Sequence, residues 1–86
     1  MAVRKLNNNF NVIGKNLRFY REKKHLSQAD LMKELNLLGI NMHKNDIYLI
    51  ESNSRTVKDY EVWGFLKILD ISFEDLYEGI EEKLEH

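Results

Sequence analysis

The stretch SQADLMKELNLLGINMHKNDIYLIES, residues 27–52, holds two helical patterns separated by a turn that carries a glycine. Ser27 stands three residues before Asp30, an acidic form of the capping box, and Ala29, Leu31, Met32 and Leu35 then recur at helical spacing. NLLGINM has little polar periodicity and reads as a turn of several residues. In HKNDIYLIES, Ile47 and Ile50 sit three apart with Tyr48 and Leu49 between them, behind the polar group His43, Lys44, Asn45 and Asp46. A helix over residues 43–52 with that pattern raises the question of what its outer side faces.

Outward from this unit the same period continues. Val12, Ile13, Leu17 and Tyr20 mark a first helix through NVIGKNLRFYREKK, with Asn11 placed to cap it. A fourth helix over KDYEVWGFLKIL puts Val62, Phe65, Leu66 and Leu69 on one face. Ser72 with Asp75 caps a fifth over FEDLYEGIEEKL, residues 73–84, whose Phe73, Leu76, Tyr77, Ile80 and Leu84 form a stripe. No segment alternates with period two for long enough to be a strand, and proline is absent. The expectation is an all-α fold of five helices with short connections.

Eighty-six residues make one domain with a small core. The expected organisation is an N-terminal arm over residues 1–11 and a single domain over residues 12–83. Residues 84–86, Leu-Glu-His, read as the remnant of a vector-encoded tag junction and carry no functional argument. Without cysteine there is no disulfide framework and no thiolate metal site, and the apolar runs fall short of the roughly 20 residues that span a bilayer. No basic and then apolar segment opens the chain, so a soluble, cytoplasmic protein is expected.

The formal net charge of −1 hides an asymmetry. Residues 1–58 carry eleven Lys and Arg against five Asp and Glu, whereas residues 59–86 carry two against nine. A basic first part could meet phosphate while the acidic remainder points elsewhere. An enzyme is not expected: His25 has no partner at i+4, His43 is outside any H-E-x-x-H pattern, and no G-x-G-x-x-G loop exists. The carboxylates of residues 74–85 lack the spacing of a calcium loop. No metal and no cofactor are expected.

Three segments in order, IGKNLRFYREKKHLSQADL, GINMHKNDIYLIES and RTVKDYEVWGFLKILDISFEDLYEG, resemble the Xre/Cro/C1-type helix-turn-helix family of bacterial and phage repressors. The resemblance covers about residues 12–79. It implies a five-helix lambda-repressor-like domain with the helix-turn-helix formed by helices two and three, and a sequence-specific regulator of transcription that binds double-stranded DNA. In the family, helix three lies in the major groove. Ile47 and Ile50 then face the core, and Lys44, Asn45, Tyr48 and Leu49 are left for base edges: Lys for guanine O6/N7, Asn for adenine N6/N7, Leu for a thymine methyl. Gln28 at the start of helix two, His43, and the loop residues Ser54, Arg55 and Lys58 are the implied phosphate contacts. Arg21 and Glu51 match positions that pair in many members, a structural bond between a partly buried carboxylate and a bidentate guanidinium.

The turn between helices two and three is about two residues longer than in compact members. His25 and Asn53 stand where many members have glycine, and both types tolerate positive φ. His43 is a poor cap, and Asp46 near phosphate is repulsive unless it caps the helix. Family members usually bind as two-fold dimers, and Trp63, Phe73, Tyr77 and Ile80 are the candidate interface. With no second domain, no small-molecule effector pocket is expected. The alternative function is a protein-interaction module, antitoxin-like or anti-repressor, on the same helices.

Overall fold

The first helix, α1 (Gly14–Lys23), begins where Asn11 turns its Oδ1 onto the backbone N–H groups of Ile13 and Gly14, each at 3.0 Å. The computed structural model describes residue 6 and residues 8–84, the side chains of 83 and 84 excepted. Helices α2 (Gln28–Leu37), α3 (Lys44–Glu51) and α4 (Asp59–Leu69) follow, and then two short ones, α5 (Phe73–Leu76) and α6 (Ile80–Leu84). Among the described residues no strand occurs, and the only β-pairing is a bridge between Leu6 and Asn9. The fold is all-α.

Each start from α2 to α5 uses the same device. A carboxylate three residues in accepts the N–H of the capping residue: Asp30 from Ser27 at 2.9 Å, Asp46 from His43 at 3.0 Å, Glu61 from Lys58 at 2.9 Å, and Asp75 from Ser72 at 3.0 Å. Such a carboxylate satisfies a donor that the helix leaves unpaired and complements the dipole at its N-terminus. Asp46 is therefore the cap that His43 needs. His25 and Asn53 adopt φ of 61° and 60°, the left-handed conformation that both types tolerate better than most residues.

The expected fifth helix over residues 73–84 is two helices. Tyr77, Glu78 and Gly79 form a turn between them, and Gly79 has φ 78°, a conformation that glycine adopts without steric cost and that ends a helix. The apolar stripe Phe73, Leu76, Tyr77, Ile80 persists in sequence while the hydrogen-bond ladder stops. Asn16 of α1 closes this turn by donating its Nδ2 to the carbonyls of Leu76 at 2.8 Å and Glu78 at 2.9 Å. The side chain of Leu84 lies outside the described residues.

The core gathers Ile13 just before α1, Leu17 of α1, Leu31 and Leu35 of α2, Ile47 and Ile50 of α3, Phe65 and Leu69 of α4 and Leu76 of α5, with Ile40 and Met42 from the turn. Each such aliphatic side chain contributes about 1.5–3 kcal/mol on burial. The turn is pinned by Asn36, whose Oδ1 accepts the Met42 N–H at 3.0 Å. Of the N-terminal arm, residues 1–5 and 7 lie outside the described residues, and Phe10 ties the rest down by donating its N–H to the Asn53 carbonyl at 3.0 Å. Among the described residues no helix is long and apolar enough to cross a membrane.

Candidate functional site

Helix α3 has two chemically different sides. Ile47 and Ile50 are fully buried, whereas Lys44 and Asn45 are exposed, Tyr48 is 56% exposed and Leu49 is half-buried. The helix can stand close to α1 because residue 14 is glycine. A Cβ there would strike Asn53 Oδ1 and come within 2.5–2.6 Å of the Ile50 and Glu51 carbonyl oxygens. Asn53 Oδ1 uses that closeness to accept the Gly14 N–H at 3.1 Å. Asn11 adds two bonds across the same gap, donating Nδ2 to the carbonyls of Ile50 at 3.0 Å and Arg55 at 2.8 Å.

The C-terminal end of α3 is held by a fork. Arg21 Nε lies 2.6 Å from Glu51 Oε2 and Nη2 lies 3.0 Å from Oε1, with the two side chains 9% and 5% exposed. Arg21 Nη1 also donates to the Leu26 carbonyl at 2.8 Å, so the buried guanidinium is well satisfied. The hydrogen bond to Glu51 outweighs burial and raises the Arg21 pKa further. Gln28 donates its amide to Glu51 Oε1 at 3.1 Å, which braces α2 against α3.

Arg55 has partners of its own within the protein. Expected on a phosphate, its guanidinium is instead engaged inside the protein: Nη1 and Nη2 bond both oxygens of Glu61 at 3.0 and 2.9 Å, and Nη1 also donates to the Thr56 carbonyl at 3.0 Å. Its Nε lies 3.6 Å from Asp46 Oδ1. Glu61 is 2% exposed, and the charge-assisted bonds to this buried carboxylate raise the Arg55 pKa against the opposing effect of burial.

No family model matches the chain, and no curated protein or solved structure is significantly similar to it.

The remaining site residues sort by exposure. His43, Ser54 and Lys58 are exposed beside α3 and in the loop after it, and Lys58 Nζ stands 5.8 Å from the Tyr60 ring centre. Ser54 shares a hydrogen bond of 3.0 Å with Ser52. A cleft of about 280 Å³ brings Arg18, Arg21, Gln28, Tyr48, Glu51 and Ser52 together at one edge of α3. Arg18 was missed in the sequence. It lies three residues before Arg21, hence on nearly the same side of α1, and its exposed ion pair with Glu22 at 3.3 Å leaves it open to solvent.

Of the candidate interface residues, Trp63 and Phe73 are exposed, Tyr77 is half-buried and stacks on Phe73 with ring centres 4.3 Å apart, and Ile80 is buried. Ile80, 8% exposed, is covered by its own chain and leaves little surface for an interface. Burial raises the Tyr77 pKa. Among the described residues no group of His, Cys, Asp or Glu is placed to hold a metal ion.

Proposed function

We propose that this chain is a sequence-specific double-stranded DNA-binding protein and acts as a transcriptional regulator in the cytoplasm, with α3 in the major groove. The observation that carries the reading is the exposed side of α3: Lys44, Asn45 and Tyr48 project from a short helix whose other side is fully buried and whose two ends are tied to neighbouring elements. A helix used to read bases must be rigid, since a contact misplaced by an ångström is lost. Lys44 and Asn45 supply the donors and acceptors that guanine and adenine edges require. Arg18, Lys58, His43 and Ser54 flank the helix as backbone contacts, and Gln28 serves chiefly by bracing Glu51.

Selection of bound duplexes from a random pool tests the proposal. A recovered motif, with Lys44→Ala relaxing preference at one position, supports it. Equal recovery of all sequences by the wild type and by a Lys44→Ala, Tyr48→Ala variant removes it. The exposed Trp63 and Phe73 favour a second element of the reading, self-association as a two-fold dimer on DNA. A protein-interaction module would instead hold a protein on Trp63, Tyr77 and the acidic face, and its apolar binding would depend little on salt.

A further inference from the structure

We infer that Arg55 is a positioning residue that sets the angle at which the first turn of α3 presents Lys44 and Asn45; the inference rests on the DNA-binding reading above. One guanidinium joins the start of two helices. Asp46, on one side, caps α3 by accepting the His43 N–H at 3.0 Å and faces Arg55 Nε at 3.6 Å. Glu61, on the other, caps α4 by accepting the Lys58 N–H at 2.9 Å and holds the fork of Arg55 at 2.9 and 3.0 Å. Glu61 is buried and cannot follow Arg55 outward, so the fork is anchored in the core and α3 is referred to it. The Arg55 carbonyl is fixed as well, by Asn11 Nδ2 at 2.8 Å.

The charges agree with this role. A guanidinium already shared between two carboxylates offers little net positive potential to a phosphate, and it offsets the charge of Asp46, the acidic residue in the first turn of α3. Arginine suits the position because its planar fork fits a carboxylate with two parallel bonds while Nε remains for a second partner, a geometry that a lysine ammonium cannot reproduce.

The test compares wild type, Arg55→Lys and Glu61→Gln on a selected duplex and a scrambled duplex of equal length, by fluorescence anisotropy at several salt concentrations, with a thermal melt to verify folding. A positioning role predicts that both variants lose roughly tenfold of their discrimination, the size of one base-edge contact, while the log–log salt slope stays at its wild-type value. Arg55→Lys that keeps wild-type discrimination, or Glu61→Gln that tightens both duplexes alike by freeing the arginine, makes Arg55 a phosphate contact and overturns the inference. A readout without DNA separates it from the proposed function. Hydrogen exchange of the His43 amide should quicken roughly tenfold in Arg55→Lys, as for a weakened cap, with the Ser27 and Ser72 amides unchanged. Unchanged exchange at His43 overturns the strut whatever the duplexes do. A wild type that discriminates no duplex, with His43 exchange quickened in the variant, removes the DNA reading and leaves the strut standing.

Discussion

Removing either partner of the Arg21–Glu51 fork leaves the other charge buried with only its lesser bonds, a situation that costs about 3–5 kcal/mol. Arg21→Ala and Glu51→Ala are each expected to lose stability of that order in urea melts. The double mutant should lose clearly less than the sum, because the second removal strands nothing. Additive losses would show that the two side chains do not share one bond. Gly14→Ala is the backbone counterpart. One methyl group meets two backbone carbonyl oxygens that cannot rotate away, and Asn53 Oδ1 can turn aside only by giving up its bond to the Gly14 N–H, so a loss of about 2–3 kcal/mol is expected by the same measurement. At the exposed side of α3, Lys44→Ala should leave stability unchanged and relax preference at one base pair by about 1–3 kcal/mol.

At the scale of the element, the capping carboxylates make stability depend on pH. The N–H of Ser27 lowers the pKa of Asp30, and that of Ser72 lowers the pKa of Asp75, in each case with help from the serine hydroxyl. Both pKa values are lower folded than unfolded. The stabilisation is therefore fully present above the ordinary aspartate value of about 3.9 and is lost as pH falls through the depressed folded values. Melting temperatures of Asp30→Asn and Asp75→Asn should fall less than the wild type's between pH 5 and roughly pH 2; parallel curves would show that these caps do not titrate with folding. Ser72→Ala should cost about 1 kcal/mol at pH 5, and less as pH falls and Asp75 protonates, because the lost hydroxyl also favours the charged carboxylate. These caps were legible because the bond runs from a residue to another three places on, a distance fixed by the helix itself. The Arg55 network was not. It joins residues six and nine apart across an irregular loop, and an acidic residue in the first turn of a helix, such as Glu61, is ordinarily solvated. Asn11 was half legible: its cap on α1 is local, but the carbonyls it reaches at Ile50 and Arg55 are 39 and 44 residues away. The division of the last helix was hidden by an apolar period that continues across Gly79 while the backbone does not.

At the scale of the whole molecule, the charge asymmetry separates a first part fit for a polyanion from an acidic end at α5 and α6. Binding to duplex DNA should weaken with salt at a log–log slope of roughly −0.9 per neutralised phosphate, and a flat response would favour the protein-interaction reading. With Ile80 buried, self-association is tested on the exposed aromatics. Trp63→Glu with Phe73→Glu should sediment as a monomer at concentrations where the wild type is dimeric, and a wild type monomeric at high micromolar concentration would remove the dimer off DNA. The turn at Gly79 has one more consequence, for how the chain opens. Asn16 grips the carbonyls of Leu76 and Glu78, so among the described residues the hydrogen bonds from this end of the chain to α1 come just before the glycine, and beyond it α6 is five residues long, too short to persist alone, with Ile80 its buried anchor. The expected outcome is that α6 opens separately from the rest: its amides should exchange far faster than those of α1 and α3, and a protease should clip there first without unfolding the remainder.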